Sequence, residues 1–581
     1  MKLLAFLVAI AAFIASRPFP PVVTMANQLV AVLGWGLVLL LAPAPPLARP
    51  ALRSVAPLLI VLALVAGACV WSVARGALPT APGICTLGLV GLALALALHG
   101  ASAGAADVAG WFRPFAIALV VIGVCCAFIA CLQIFAIDLI DNDLIALPTR
   151  RGRAGGNIGQ PNQFADAMLW GLIALVPLAQ ARYRRAPQAR WMRLEQAAWF
   201  GAGLFMILGV VLAGSRTGMV VTVLIALWGL FDRNLARPLR VGLALAPVAV
   251  VALQWAVGAW AHAHALPIVM TDRSDATSAF AFRDEIWASS LALIKAQPWL
   301  GVGWGQFNFA WTLTPSFSRG AGLVDNAHDL PLQLAVELGV PAAALMIGLL
   351  LFALWTAVRR LWRSPGDAGV AGRSALMIVV VLALHSMLEY PLWYAYLLLP
   401  TAWAFGLTMG AASAAGPSHQ PAAAEPAVPI GPLRAWRVLG LLMVVLAGSA
   451  WLDYLTIVDL FLPRSTSLPL VQRIQRAEAS PLFANHADYV AATDLPLNPA
   501  MLPLVERASH VLLNGRLMYA WAILLNERGE VDKARYMAAR LREFDLSGPK
   551  PWFAPCDDPA VTAKPFQCLP PAGPVSWRDF R

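Results

Sequence analysis

The sequence predicts an all-α polytopic membrane protein with about thirteen transmembrane helices, a long extramembrane loop and a small C-terminal helical domain. Of its 581 residues, 60% are hydrophobic and only 13% are charged, whereas soluble domains carry about 25% charged residues. The mean hydropathy is +0.70, and the apolar residues are too many for one core, since single cores stop growing near roughly 250 to 300 residues. These observations exclude a soluble enzyme, a disordered chain and a disulfide-rich secreted module.

Runs of mostly apolar residues define the predicted transmembrane helices, because a bilayer core about 30 Å thick requires roughly 20 such residues. The thirteen runs are residues 3–16, 27–42, 55–72, 83–99, 114–136, 164–180, 196–213, 219–231, 241–260, 335–357, 374–392, 394–411 and 438–460. Residues 1–16 could instead be a signal peptide, with Lys2, a short apolar region and the small residues Ala15 and Ser16. We favour a retained helix because a second hydrophobic run follows almost at once.

Arginine in the short loops predicts a cytoplasmic N-terminus, since cytoplasmic loops are enriched in Lys and Arg. With that orientation alternate loops are rich in arginine, and the opposite short loops carry only Arg17, Arg75, Arg150, Arg151, Arg153 and Arg216. Thirteen crossings then place residues 461–581 outside the cytoplasm. The formal charge of +11 is interpreted as an orientation signal and a contact for anionic lipid, with no nucleic acid as partner.

Five regions follow from this pattern. They are N-terminal transmembrane helices (1–150), central helices with an SRTG turn (151–260), a large periplasmic loop (261–334), C-terminal transmembrane helices with a Pro/Ala linker at 412–437 (335–460), and a periplasmic domain (461–581). In the last region, residues 501–544 have the spacing of a TPR-like helical hairpin. Cys556 and Cys568 could form a disulfide if that end faces an oxidising space, whereas the other five cysteines lie in apolar stretches.

Four polar clusters adjoin the predicted helices on the same predicted side of the membrane, where such residues tend to mark function. In the first, Gln160 and Asn162 flank Pro161 in a glycine-rich turn, and the alternative interpretation is a polar helix cap formed by Asn162. In the second, Arg216 stands in the tight turn GSRTGM. Its guanidinium could bind phosphate through two hydrogen bonds, or could extend to the interface without a ligand.

The long loop supplies the third cluster. Arg283, in FRDEIW, is a second candidate phosphate ligand. His328 stands between Asn326 and Asp329, and histidine is the side chain whose ordinary pKa permits proton exchange near neutral pH. A lone histidine is more often structural, but this one has two polar neighbours.

The fourth cluster is HSMLEYPLWY, in which His385 and Glu389 are one helical turn apart on one face. Glu389 near a helix end requires a partner, for which Arg216 and Arg283 are the candidates. Metal binding is the competing use of such residues. Two loose clusters could be considered for it, His262 with His264, and Asp138 with Asp141 and Asp143. Neither has the spacing of a recognised set of metal ligands. Nucleotide and protease motifs are also missing from the sequence.

The motifs resemble those of the Wzy/WaaL-like bacterial membrane glycan ligases. The central region is similar in SRTGM, RDEIWASSLALIKAQPWLGVGWGQF and NAHDLPLQLAVELGVPAA, and GQPNQFAD resembles the N-terminal signature of PglL-type protein O-oligosaccharyltransferases. The resemblance covers roughly residues 5–410, and the C-terminal domain is similar to the one found in this branch. NAHD replaces the commoner NAHN, a departure that affects Asp329 only.

The resemblance implies a GT-C-like fold and transfer of a preassembled glycan from undecaprenyl pyrophosphate to Ser or Thr of an exported protein, at the periplasmic face of a bacterial inner membrane. It implies no metal and no other cofactor. Carried onto this chain, His328 is the general base, and Arg216 and Arg283 hold the pyrophosphate. The other candidates for substrate binding are Gln160, Asn162, Asn326 and Glu389. We expect Arg216, Arg283 and His328 to converge on one cavity open to the outer leaflet.

Two alternatives use the same residues or the same architecture. O-antigen ligation to lipid A-core, or Wzy-type polymerisation, would need the same lipid-linked donor. A transporter or flippase would also have many helices and a polar cavity. Transporters tend to show two matching halves with broken helices, and the sequence has no such internal repeat.

Overall fold

The computed structural model describes residues 1–16, 19–140, 143–149, 152–185, 192–264, 273–315, 317, 319, 322–415, 433–463, 468–544 and 550–580. Arg17, Asp141, Arg150, Arg151 and most of the linker 412–437 lie outside these residues. Regular structure within the described ranges consists of helices, as the sequence predicts.

The described part contains 22 α-helices. The first eight are α1 (Lys2–Ile10), α2 (Met25–Leu41), α3 (Arg49–Ala74), α4 (Thr80–Phe135), α5 (Pro161–Arg185), α6 (Met192–Leu212), α7 (Arg216–Phe231) and α8 (Arg237–Ala244). The next eight are α9 (Ala246–Ala263), α10 (Arg273–Ala296), α11 (Phe307–Leu313), α12 (Leu330–Leu338), α13 (Val340–Leu361), α14 (Gly366–His385), α15 (Ala395–Ala414) and α16 (Leu433–Phe461). The last six are α17 (Leu470–Glu478), α18 (Ala484–Asp494), α19 (Leu502–Ser509), α20 (Gly515–Glu527), α21 (Val531–Glu543) and α22 (Lys550–Asp557).

Nine helices in the described ranges are long and apolar enough to cross a membrane. They are α3 to α6, α9 and α13 to α16, and shorter apolar segments occur at Lys2–Phe13, α2 and α7. The chain is therefore a multi-pass membrane protein. The number of thirteen crossings remains a prediction.

The sequence predicted two helices, 83–99 and 114–136, where the structure has the long element α4. It continues through the expected turn near Arg113 and breaks earlier, at Asp107, where φ is −162° and ψ is 83°. The Asp107 carboxylate accepts the N–H of Gly110 at 2.9 Å. This contact caps a new helix start, which explains why the break lies at the aspartate and not at the arginine.

The predicted helix 241–260 is also interrupted. Leu245 separates α8 from α9, and Pro247 stands in the first turn of α9. Proline lacks the N–H that a continuous helix would need at that point but is well tolerated in a first turn. The prediction of a single helix over residues 241–260 was therefore wrong at its N-terminal end.

The chain divides into two compact units, which are described separately. The first unit comprises residues 1–62, 91–275 and 348–451, and the second comprises residues 63–90, 276–347 and 452–581.

In the first unit, small residues allow α4 and α15 to pack closely. A Cβ atom added at Gly100 would lie 2.2 Å from the carbonyl oxygen of Trp403, and one added at Gly410 would lie 2.1 Å from that of Ala101. Small residues four positions apart on both helices are the pattern by which membrane helices approach each other. The approach is close enough that any larger side chain at either glycine would separate the helices.

The second unit contains the C-terminal helical domain, α17 to α22. The region predicted as a hairpin contains α19, α20 and α21. α20 and α21 pack together, and Trp521 of α20 is buried. Two further helices, α17 and α18, precede this region and were not predicted. Cys556 and Cys568 form the disulfide that the sequence allowed.

Candidate functional site

The glycine-rich segment before α5 is held in a fixed shape by Gln133. The Gln133 side-chain carbonyl accepts the N–H groups of Gly155 and Gly156 at 3.1 and 3.0 Å, and its amide donates to the carbonyl of Ala146 at 2.7 Å. Gly156 has φ of +62°, and a Cβ added there would lie 2.2 Å from the ring of Phe164. Glycine is therefore required at this position for both conformation and space.

Arg153 joins this segment to the SRTG turn of the first unit. Its guanidinium donates to the carbonyl of Ala213 at 3.0 Å and to the side-chain carbonyl of Asn162 at 3.2 Å. The Asn162 amide in turn donates to the carboxylate of Glu389 at 3.2 Å. Three of the four predicted clusters thus meet in the first unit. The sequence marked Arg153 as a loop arginine and did not reveal this role.

Arg216 is the exposed first residue of α7. The preceding Ser215 caps the helix by accepting the N–H of Gly218 at 3.1 Å. The first turn of a helix carries free N–H groups and a partial positive charge, which adds to the charge of the guanidinium. This end of α7 is suited to attract an anion.

Gln160 and Glu389 have described partners in the first unit. The side-chain carbonyl of Gln160 accepts the N–H of Gln163 at 3.0 Å, which caps the start of α5. The alternative interpretation of this cluster had assigned such a cap to Asn162, whose side-chain carbonyl accepts from Arg153. Glu389 is buried and contacts Asn162. Its proposed pairing with Arg216 or Arg283 remains a prediction.

A buried pair that the sequence did not suggest lies one turn further along α5. Asp166 Oδ2 and His385 Nδ1 are 2.6 Å apart, and both side chains are almost completely buried. Beside them the Tyr396 hydroxyl donates to the side-chain carbonyl of Gln163. His385 therefore pairs with Asp166 of α5. The signal was available in the sequence, since Asp166 is an ionisable residue inside an apolar helix.

His328 occupies an unusual backbone conformation in the second unit. Its φ is +50°, the only positive value at a non-glycine residue in the described part, and such residues are often strained positions near functional sites. The Asn326 side chain accepts the His328 N–H at 2.9 Å and donates to Asp325 at 2.7 Å. Asn326 is thus a conformational support for the loop that carries the histidine.

Asp329 fixes the other side of this loop. Its carboxylate caps α12 by accepting the N–H of Leu332 at 2.8 Å. Burial raises the pKa of Asp329, and the hydrogen bond from Leu332 opposes that rise. Asp and Asn are both favoured in this capping role, so Asp in place of the commoner Asn is compatible with it.

The second unit brings Arg283 near the His328 loop. Trp287, one turn after Arg283 on α10, donates its indole N–H to the carbonyl of Ala327 at 3.2 Å. Ala327 immediately precedes His328. The helix that carries one predicted cation is therefore bonded to the loop that carries the predicted base. Arg216 belongs to the other unit, and its convergence with these two residues remains a prediction.

Glu337 is a buried carboxyl group at the C-terminal end of α12 that the sequence analysis missed. It accepts the N–H of Phe307, the first residue of α11, at 3.2 Å. Burial raises its pKa to about 7, and hydrogen bonds from the backbone near Gly305 and Phe307 and from Gln333 oppose that rise. Near neutral pH this group exists in both protonation states.

The described residues contain no group of three His, Cys, Asp or Glu side chains placed to share a metal ion. Of the loose clusters in the sequence, His264 contacts its own helix, with Nδ1 2.8 Å from the carbonyl of Trp260. Asp141 lies outside the described residues.

Comparison with known protein families gives three matches. Residues 201–347 match the O-antigen ligase family, residues 374–544 match the C-terminal part of the virulence factor membrane-bound polymerases, and residues 154–178 match the protein glycosylation ligase family. Arg216, Arg283, Asn326 and His328 lie within the first match, Glu389 within the second, and Gln160 and Asn162 within the third.

Two relatives from Acinetobacter baylyi are also similar. A general O-oligosaccharyltransferase is 25% identical over 381 residues, which are 63% of this chain and 61% of that protein. A ComP-specific O-oligosaccharyltransferase is 24% identical over 281 residues, 46% of each chain. The chain thus matches less than two thirds of the length of either relative.

Proposed function

Since the chain belongs to the O-antigen ligase superfamily, on the branch of the PglL-type protein O-oligosaccharyltransferases, we propose that it transfers a preassembled oligosaccharide from undecaprenyl pyrophosphate to hydroxyl groups of an acceptor protein. The acceptor residues are Ser or Thr of exported proteins. The observation that carries the proposal is the contact between Trp287 and Ala327, because it brings the helix of Arg283 to the loop of His328.

In the proposed reaction, the His328 imidazole takes the proton of the acceptor hydroxyl as that oxygen attacks the anomeric carbon. The bond from this carbon to the pyrophosphate oxygen breaks, and undecaprenyl pyrophosphate leaves with the additional negative charge. Arg216 and Arg283 bind the pyrophosphate and stabilise this charge, since guanidinium groups form paired hydrogen bonds with phosphate oxygens. Direct displacement would invert the configuration at the anomeric carbon. The reaction requires neither a nucleotide sugar nor a metal.

The remaining polar residues have supporting roles in this proposal. Asn326 holds the His328 backbone. Asn162, placed between Arg153 and Glu389, fixes the polar surface beside the SRTG turn, and Gln160 and Glu389 contact the sugar or the acceptor there.

The proposed location is the periplasmic face of a bacterial inner membrane, with thirteen crossings and the C-terminal domain in the periplasm. The disulfide between Cys556 and Cys568 supports this orientation, because disulfides persist in the periplasm and are rare in the cytosol.

Purified full-length protein in lipid nanodiscs, with a lipid-linked oligosaccharide and a periplasmic acceptor protein, tests the proposal. We expect His328→Ala to lower the transfer rate by at least about 100-fold, the usual contribution of a general base. His262→Ala, at an exposed position on α9, is the matched control and should transfer at the wild-type rate. Equal rates for His328→Ala and wild type would refute the assignment of the base.

O-antigen ligation or polymerisation is the second candidate function, because the matches at 201–347 and 374–544 belong to an O-antigen ligase and a polymerase family. A deletion strain separates the two. Protein O-glycosylation requires loss of the glycosylated protein with unchanged lipopolysaccharide banding, whereas the alternative requires altered banding. A transporter has less support, since both named relatives are transferases.

A further inference from the structure

α11 is a junction within the second unit. All seven of its residues are buried. Its first N–H group, at Phe307, donates to Glu337 of α12, and Gln306 just before it lies 2.9 Å from His510 of the C-terminal helical domain. The start of α11 is therefore contacted by α12, which follows His328, and also by the C-terminal helical domain.

Asn308 connects the same two parts through one side chain. Its amide donates to the carbonyl of Val324 at 2.9 Å, and its side-chain carbonyl accepts the N–H of Leu513 at 2.7 Å. Leu513 belongs to the loop before α20, and Val324 lies four residues before His328. Both polar atoms of this buried amide are thus used to join the C-terminal helical domain to the approach of the His328 loop.

Arg319 provides a second connection between the same parts. Its guanidinium lies 4.5 Å from the ring of Trp311 and 4.7 Å from that of Phe544. It donates to the carbonyl of Thr314 at 2.7 Å and forms a salt bridge of 3.2 Å with Glu543 of α21. The Arg319 side chain is 4% exposed and that of Glu543 is 28% exposed, so the contact is partly buried, and its loss costs more than that of a fully exposed pair.

The loop with His328 is held at two points. On its N-terminal side, Val324 is bonded to Asn308. Directly before His328, the N–H of Ala327 donates to Gln333 of α12 at 2.7 Å, and α12 reaches α11 through Glu337. A residue in a strained conformation such as His328 persists only where its surroundings hold it there.

We infer that the C-terminal helical domain positions the His328 loop, and that Asn308 is the positioning residue through which it acts. The inference rests on the proposed role of His328 as the base. The domain thereby has a function within the transfer step itself, separate from any part in binding an acceptor. Small displacements of a reacting group are sufficient for large losses of rate.

The test uses the full-length protein in nanodiscs. Asn308→Asp keeps the size and the acceptor for Leu513 but replaces the donor to Val324 by a carboxylate oxygen. Asn514→Ala is the matched control: it removes the cap of α20, where Asn514 accepts the N–H of Leu517 at 3.2 Å, and weakens the same domain without touching Val324.

Two measurements separate positioning from general stability. Hydrogen exchange of residues 322–329, measured without donor or acceptor, should become about tenfold faster in Asn308→Asp, as expected for loss of one buried hydrogen bond. The kcat for transfer should fall at least about tenfold with KM for the acceptor unchanged. Asn514→Ala should change neither quantity.

Three results would overturn the inference: faster exchange with unchanged kcat, no change in either quantity, or equal changes in Asn514→Ala. If Asn308→Asp fails to fold, Arg319→Lys is judged by the same criteria, because it loses the planar donor set while keeping the charge. The exchange measurement is independent of activity. A failure of the proposed function, seen as full transfer by His328→Ala, is thus distinguished from a failure of the positioning inference.

Discussion

Replacing Glu337 by Gln should make the stability of the α11–α12 contact independent of pH. The substitution removes the ionisable group but keeps its size and an oxygen that can accept the N–H of Phe307. In the wild type, burial raises the pKa of Glu337 from 4.5 to about 7. Between these two values the folded protein holds a proton that the locally unfolded chain releases, so stability falls as the pH rises.

The magnitude follows from the two pKa values. Each unit of difference between the two pKa values corresponds to about 1.4 kcal/mol. Once the pH exceeds 7, the whole difference lowers the free energy of local unfolding by about 3 kcal/mol. This contribution is fully present below pH 4.5 and is lost as the pH rises through 7. At pH 8.5 we therefore expect the Gln variant to be more stable locally than the wild type by about 3 kcal/mol, or about 200-fold in the opening equilibrium.

Hydrogen exchange followed by mass spectrometry measures this effect on peptides covering residues 302–313. The protection of these backbone amides against exchange is corrected for the intrinsic effect of pH on the exchange rate. It should fall between pH 5 and 8 in the wild type and stay constant in Glu337→Gln. Glu527→Gln, at an exposed glutamate of α20 in the same unit, is the matched control. The same pH profile in the wild type and Glu337→Gln would refute the reasoning.

Gly156→Ala should destabilise the segment before α5 by about 1–3 kcal/mol, because the residue has φ of +62° and the new methyl group would meet Phe164. In Gly88→Ala the new Cβ meets nothing within 4 Å and alanine is favoured inside a helix, so the melting temperature should not fall. Asp232→Ala should lower the free energy of unfolding by about 3–5 kcal/mol, since it leaves the buried guanidinium of Arg373 without the carboxylate that lies 2.6 Å from it. Adding Arg373→Met to the same chain should recover part of this loss, as measured by thermal unfolding. Serine replacements of both cysteines of the C-terminal disulfide should cost about 3 kcal/mol, and a thiol reagent should modify the wild-type pair only after reduction.

The membrane architecture was predictable from the sequence because helix length and hydropathy are properties of short segments. Most spanning helices lie where about 20 apolar residues follow one another. The errors occurred at local features weaker than hydropathy, such as the cap formed by Asp107 within α4 and the proline in the first turn of α9.

The clusters that hold the candidate site residues were also visible in the sequence, since polar residues beside apolar runs stand out. Their partners were not. Asp166 and His385 are 219 residues apart, and Asn308 and Leu513 are 205 apart, so no periodicity in a short window relates them. Only the packing of distant helices decides which buried polar groups satisfy each other.

Sequence by itself thus determined which segments are apolar enough to span and which side chains could supply a base and cations. Tertiary structure decided that Arg153 joins three of the clusters, that Trp287 brings the helix of Arg283 to the loop of His328, and that Glu337 is buried. The physical reason is that a polar group acquires its hydrogen-bond partners and its pKa from its surroundings, and these surroundings are assembled from parts of the chain that are remote in sequence.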